Sequence, residues 1–135
     1  MKKLTLCFFF LALASGLLAQ NTEQEVRKAT GEAVALYQLD ERQAEEMQVI
    51  QERRFRNLAS IEELRQSDYN LYLQKKNSVR EGMMASIKRL LKEEQMEVFH
   101  QQLVDRRKKE AAVKEQLKQE GASRQEIQIA IWELE

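Results

Sequence analysis

The sequence predicts an all-α fold, in the form of a thin, elongated layer of four to five helices. From residue 20 onward the chain has no proline and is dominated by Glu, Gln, Lys, Arg, Ala and Leu, the residues that lose least on entering a helix. Residues 20–135 suit one domain, but they hold few aromatic side chains to fill a thick core. A thin layer cannot bury both of its faces, so we expect a second copy of the chain or another protein to cover apolar surface.

The first 19 residues have the layout of a secretory signal peptide. Two lysines precede an apolar run over residues 4–13, and small residues follow up to Ala19. We place cleavage after Ala19, although Ala12 and Ala14 offer an earlier site. An uncleaved membrane anchor is the alternative, but the run is shorter than the ~20 residues that span a bilayer. The prediction is an exported protein with no stable membrane insertion, which starts at Gln20 and lacks cysteine because Cys7 lies in the leader.

The first two predicted helices each carry an apolar stripe. Helix one is predicted over residues 23–37, with the stripe Val26, Ala29, Ala33 and Leu36. Helix two is predicted from Asp40 to about residue 65, with the stripe Met47, Ile50, Leu58 and Ile61, interrupted by Arg54. Ser67 and Asp68 then supply turn and cap chemistry.

The remaining helices are predicted in the second half of the chain. Helix three carries Tyr72, Val79, Met83, Ile87 and Leu90. Helix four starts at Lys92, or continues helix three, and carries Val98, Phe99, Leu103, Val113 and Leu117. Gly121 is placed as a helix stop, and Ser123 with Glu126 forms a capping box that starts a short tail helix.

A five-residue pattern, Leu-x-x-x-Gln, occurs at residues 39–43 and again at residues 91–95. In the first copy Asp40 is a good N-cap, Gln43 can reach back to it, and Leu39 covers the helix start. The second copy keeps Leu91 and Gln95, but Lys92 has no short oxygen-bearing side chain that could cap a helix. We therefore expect a weaker second helix start, and a smaller loss of stability on replacing Gln95 by Ala than on replacing Asp40.

The two copies behind a signal peptide in a short helical chain resemble the LTxxQ-motif family of periplasmic proteins, the Spy/CpxP-like chaperones. The resemblance covers roughly residues 30–120, and both copies depart from the family pattern at the Thr position. It implies a cradle-like homodimer and an ATP-independent chaperone, a holdase for unfolded or partly folded client proteins. It also implies an alternative, an envelope-stress or heavy-metal-responsive regulator that docks on a sensor protein. A structural helical or coiled-coil protein is a third possibility, although the stripes match sustained heptads poorly.

The residue content argues against enzymatic and cofactor chemistry. The sequence has no nucleotide-binding loop, no nucleophile motif and only one histidine, His100. His100 is therefore the one weak metal candidate, and we expect no metal site in a single chain and no cofactor. Residues 1–19 hold two of the 22 basic residues and none of the 22 acidic ones. The mature chain thus has a net charge of −2, which gives no indication of nucleic-acid binding.

Mixed basic and apolar residues are the candidates for client binding. They are Arg53, Arg54, Phe55, Met47, Ile50, Leu58, Met83 and Ile87. Long arginine stems can lie along apolar groups while their heads stay in water, and methionines adapt to irregular partners. The alternative is that the basic clusters at residues 53–56 and 106–109 are only solvated faces paired with nearby glutamates.

Overall fold

The computed structural model describes residues 4–134, with side chains from residue 21 onward. All regular secondary structure in this range is helical, which confirms the all-α prediction. The helices are α1 (Leu4–Tyr37), α2 (Glu41–Ala59), α3 (Leu64–Ser67), α4 (Tyr69–Leu90), α5 (Met96–Gln119) and α6 (Arg124–Glu133), and a 3₁₀ turn, Glu93–Gln95, precedes α5. None of the helices in the described range is both long and apolar enough to cross a membrane.

Helix α1 begins much earlier than predicted, at Leu4 rather than near residue 23. No proline interrupts the sequence between the apolar run and residue 37, so a single helix can run through both segments. Residues 1–3 of the predicted signal peptide lie outside the described residues, as do the side chains of residues 4–19. Cleavage after Ala19 stays a prediction.

Helix α2 begins as predicted and ends sooner. Asp40 is its N-cap, but the helix stops at Ala59 instead of continuing to about residue 65. The Ser60 hydroxyl donates to the Asn57 carbonyl at 2.7 Å, a local bond of the kind that competes with helix continuation. The short helix α3 follows, and Asp68 caps α4 by accepting a hydrogen bond from the Leu71 N–H at 3.0 Å, as the sequence predicts.

Helices α4 and α5 are separate, which decides between the two alternatives left open by the sequence. Leu91 and Lys92 both have extended backbone conformations between them. At the other end of α5, Gly121 has φ of 78° and stops the helix, because glycine tolerates positive φ. The Ser123 capping box then starts α6, with its two bonds at 2.7 and 3.3 Å. Both of these predictions are confirmed.

The core is small and centred on α1, α2, α4 and α5. Its buried members are Ala33, Tyr37, Met47, Ile50, Ile87 and Phe99, and Leu39 and Leu91 of the two pattern copies pack against them. Helix α2 contacts both α1 and α4, while α6 packs on α4 and α5. The pattern copies therefore lie at the edge of the core.

The predicted apolar stripes agree only partly with the residues that are buried in the structure. On α1, Val26 and Ala33 are buried as predicted, but Leu36 is 45% exposed and Tyr37 takes the inner position. The spacing of four from Ala33 to Tyr37 places the ring on the same side of the helix. Its hydroxyl donates to Gln102, and burial raises the pKa of this phenol. On α4, the fully buried Leu73 was not on the predicted stripe.

Candidate functional site

The two copies of the Leu-x-x-x-Gln pattern lie against each other through their glutamines. The Gln43 amide Nε2 donates to Gln95 Oε1 at 2.8 Å. The Gln95 Nε2 in turn donates to Gln43 Oε1 at 3.1 Å. Two side chains 52 residues apart thus form a reciprocal amide pair, and Gln43 is only 5% exposed. A buried pair of this kind is stable only because the donors and acceptors of both amides find partners.

Each glutamine also fastens the helix start that it belongs to. The Asp40 N–H donates to Gln43 Oε1 at 3.2 Å, and the Gln43 N–H donates to Asp40 Oδ1 at 2.9 Å. This is the predicted capping box. In the second copy the Lys92 N–H donates to Gln95 Oε1 at 2.9 Å. The glutamine half of the box is therefore present in both copies, whereas the side-chain cap exists only in the first.

Each glutamine further binds the chain that leads into the other copy. Gln43 Nε2 donates to the Leu90 carbonyl at 3.0 Å. Gln95 Nε2 donates to the carbonyls of Tyr37 and Gln38 at 3.1 and 3.2 Å. Carbonyls at helix ends have no partner within their own helix. Gln43 thus closes the end of α4 and Gln95 closes the end of α1, in an approximately twofold arrangement.

Lys92 has a role that the sequence did not indicate. Its Nζ lies 2.8 Å from Asp40 Oδ2, so the second positions of the two copies form an ion pair. The hydrogen bond from Lys92 holds the pKa of Asp40 below its ordinary value, helped by the Gln43 backbone N–H. Asp40 correspondingly raises the pKa of Lys92. A positive residue is unsuitable as a cap but well suited to a position that faces an aspartate.

These contacts go beyond the helix start, on which the smaller expected cost of replacing Gln95 was based. Although Lys92 does not cap the helix, Gln95 binds Lys92, Gln43 and the end of α1. We call the set Asp40, Gln43, Lys92 and Gln95 the glutamine lock. It joins the α1–α2 turn to the α4–α5 turn and fixes how four helices meet, so its chemistry is structural.

Of the residues predicted to bind client proteins, some are buried and others are accessible. Met47, Ile50 and Ile87 are core residues with 0%, 7% and 4% exposure, which corrects the expectation that they belong to an open contact surface. Met47 and Ile50 lie inside because α2 packs against both α1 and α4, and Ile87 of α4 belongs to the same core cluster. Apolar residues at helical spacing lie on one face of a helix. The spacing does not show whether other helices pack against that face.

Phe55 borders an open cleft between α1 and α2. The cleft has a volume of about 740 Å³, and its apolar lining comes from Val26, Phe55 and Ala59. Four charged residues line the same cleft, namely Glu23, Arg27, Glu52 and Arg56. The Arg54 guanidinium lies 5.0 Å from the centre of the Phe55 ring, within the range of a cation–π contact. Apolar and charged side chains therefore lie next to each other along this cleft.

A second groove lies on the other side of α2, against α4. Arg53 is anchored there, because its Nη2 donates to Ser86 Oγ at 2.8 Å. Val49 and Arg89 also line this groove, and Val49 is 60% exposed. Val49 was missed because it lies off the apolar stripe, and a single exposed valine is not by itself a signal of contact surface. Leu58 and Met83 lie elsewhere, in a cleft that Arg54 shares.

His100 lies on the surface of α5, beside the ring of Phe99, with ring centres 6.2 Å apart. Within the described residues, no three side chains of His, Cys, Asp or Glu are grouped so that they could hold a metal ion. Compared with known protein families, characterised proteins and solved structures, the chain has no match.

Proposed function

We propose that this protein is a periplasmic, ATP-independent holdase that binds unfolded or partly folded client proteins as a homodimer. The observation that carries the proposal is the open cleft between α1 and α2, where the half-buried Phe55 lies among charges of both signs. The resemblance of the two pattern copies to the LTxxQ-motif family supports the same function.

The distribution of apolar groups supports binding to many partners. Within the described residues, the core cluster has six buried side chains, while large apolar side chains remain exposed on several helices: Leu36, Val49, Tyr69, Val98 and Val104. Such scattered, exposed groups are normal singly, but Val49 in one groove of α2 and Phe55 in the other cleft offer a client small apolar contacts. Binding through small contacts is weak, so a client can leave and fold.

Charge supplies the first attraction in this mechanism. Arg53 and Arg56 on α2 stand beside Glu52, so either sign of client charge meets a partner. Attraction between exposed charges is screened within about 10 Å at 0.1 M salt, so it brings a client near without holding it tightly. Apolar contacts with Phe55 and Val49 then retain the client. The glutamine lock keeps α1 and α2 in a fixed relation, which holds the cleft open.

The direct test is suppression of aggregation. The protein is produced from its full-length precursor and purified in its processed form, and a chemically unfolded substrate is diluted into it while light scattering is followed. We expect lower scattering in proportion to added protein, without ATP. Undiminished scattering at a twofold excess of protein would contradict the proposal. Sedimentation equilibrium tests the homodimer, and a monomer at working concentration would remove that part of it.

Paired surface variants locate the client surface. The double variant Val49→Ser/Phe55→Ser removes exposed or half-exposed apolar groups beside the two clefts of α2. Its control, Val98→Ser/Val104→Ser, removes two exposed valines from α5. We expect the first to need several times more protein for the same suppression and the second to behave like the parent. Equal loss in both would place client binding elsewhere.

A further inference from the structure

A separate pocket lies where α2, α4, α5 and α6 meet. Its volume is about 310 Å³, at the lower end of the range for small-molecule sites. Its apolar lining consists of Leu58, Val79, Met83, Trp132 and Leu134. The pocket therefore has room and apolar surface for a compact ligand, and its lining comes from four helices.

The polar lining of this pocket is basic. Arg54, Lys76, Arg80 and Arg106 contribute to it, and no acidic residue is among the described side chains that line it. Only one of the three arginines has a close carboxylate partner, since Arg106 Nε lies 2.9 Å from Glu110 Oε1. Among the described residues, Arg80 pairs only with the largely exposed Glu81, at 3.9 Å. Arg54 donates to the neutral Gln51 amide instead of a carboxylate.

Arg80 has donor capacity that the protein does not use. Its Nη2 donates to Asn77 Oδ1 at 3.0 Å, but its Nε is buried and has no hydrogen-bond partner. Burial lowers the pKa of Arg80, and the neighbouring Arg106 lowers it further. The carboxylates of Glu81 and Glu110 offset this repulsion only in part. An anion between the two guanidiniums would offset the rest.

We propose that this pocket binds a small anionic amphiphile, a carboxylate on an aliphatic body of medium length. The carboxylate lies between Arg80 and Arg106, where each guanidinium can donate to one of its two oxygens. The aliphatic body covers Trp132 and Met83. The site is distinct from the clefts proposed for clients, and the inference does not depend on the holdase function.

Trp132 provides a direct readout, because it is the only tryptophan in the chain and it lines the pocket. Decanoate, below its micelle-forming concentration, is titrated into the purified protein while tryptophan fluorescence and binding heat are recorded. We expect saturable binding with one site per chain and a fluorescence change that follows it. Decanol and decyltrimethylammonium have the same aliphatic body without the negative charge, and we expect each to bind at least about tenfold more weakly.

Variants of the arginines distinguish a specific decanoate site from general electrostatic attraction to basic residues. Arg80→Gln should weaken decanoate binding about tenfold or more, and Arg80→Lys, which keeps the charge but loses the planar fork, should fall in between. Arg107→Gln makes the same charge change at an exposed position of α5 and should leave affinity unchanged. The unfolding midpoint of every variant is measured to show that it folds.

Several results would overturn the inference. Decanol binding as tightly as decanoate would show that the basic residues do not select the ligand. Equal weakening by Arg80→Gln and Arg107→Gln would show attraction by overall charge alone. Binding heat without a change in Trp132 fluorescence would place the ligand elsewhere.

Discussion

Gln43 and Gln95 donate to each other through their side-chain amides, at 2.8 and 3.1 Å, across 52 residues of sequence. Each glutamine also accepts a backbone N–H bond at its own helix start. Each donates to a backbone carbonyl at the helix end that precedes the other copy. An amide side chain has two donors and an acceptor with two lone pairs, and both glutamines use this capacity between four helices. The pair is therefore the point at which the repeated pattern becomes tertiary structure.

Gln95→Ala is expected to lower the free energy of unfolding by about 2–3 kcal/mol, because it leaves a buried amide and backbone groups without their partners. Gln101→Ala, on the helix α5 that follows Gln95, is the control: its exposed amide donates to Asp105 at 2.9 Å, and its loss should change stability by no more than about 0.5 kcal/mol. Urea unfolding followed by circular dichroism measures both. Equal effects of the two substitutions would contradict a special role for Gln95.

A double-mutant cycle isolates the amide pair itself. Gln43→Ala, Gln95→Ala and the double variant should give a coupling energy of about 0.5–3 kcal/mol, because each single change already breaks the shared contact. The same unfolding measurement supplies all four stabilities. Strictly additive losses would mean that each glutamine acts only on its own helix start.

The glycines of α4 and of the α5–α6 turn should respond to alanine in opposite directions. A Cβ at Gly82 or Gly121 meets no atom within 4 Å, but Gly121 has φ of 78° while Gly82 is helical. Gly82→Ala should raise the unfolding free energy by about 0.5–1 kcal/mol, and Gly121→Ala should lower it by about 1 kcal/mol. Thermal unfolding of both variants checks the signs, and a shared sign would contradict the assignment.

Helix starts were predictable because their chemistry is local. Asp40 with Gln43, and Ser123 with Glu126, satisfy each other within three residues, so the sequence alone contains the whole interaction. The role of Gln95 was not predictable in this way, because its partners Tyr37 and Gln38 lie 57 to 58 residues earlier. A repeated pattern indicates that two segments are alike but not that they touch.

Which apolar residues are buried was harder to predict from the sequence than where the helices begin. The stripe of Met47 and Ile50 was correctly assigned to one face of α2, yet it was interpreted as contact surface although α1 and α4 bury it. Leu36 and Tyr37 are neighbours, and periodicity alone did not decide which one points inward. Burial depends on the helices that a face meets, and that information is not contained in the spacing.

Leu73 and Leu36 offer a matched test of this division. Leu73 is 2% exposed and Leu36 is 45% exposed. Leu73→Ala should lower the unfolding free energy by about 2–5 kcal/mol through lost burial and a residual cavity, whereas Leu36→Ala should change it by about 0.5 kcal/mol or less. Urea unfolding measures both. A large loss for Leu36→Ala would show that a partner, such as a second copy, covers this position in solution.

The Asp40–Lys92 pair should make stability depend on acid pH. Because the folded pKa of Asp40 lies below its ordinary value of 3.8, the unfolded chain takes up the proton first as the pH falls, and this contribution to stability is lost through the folded pKa. Asp40→Asn keeps an efficient cap but removes the charge. We therefore expect this variant to be less stable than the parent at neutral pH, and the difference to shrink once the pH falls below 3.8. Glu126 also has a lowered pKa, so some acid sensitivity remains in the variant.

Urea unfolding of the parent and of Asp40→Asn at a series of pH values gives the difference in stability as a function of pH. Since both partners are about half exposed, the neutral-pH difference should also shrink with added salt. A difference that is independent of both pH and salt would mean that Asp40 acts only as a cap and that Lys92 adds nothing to the lock.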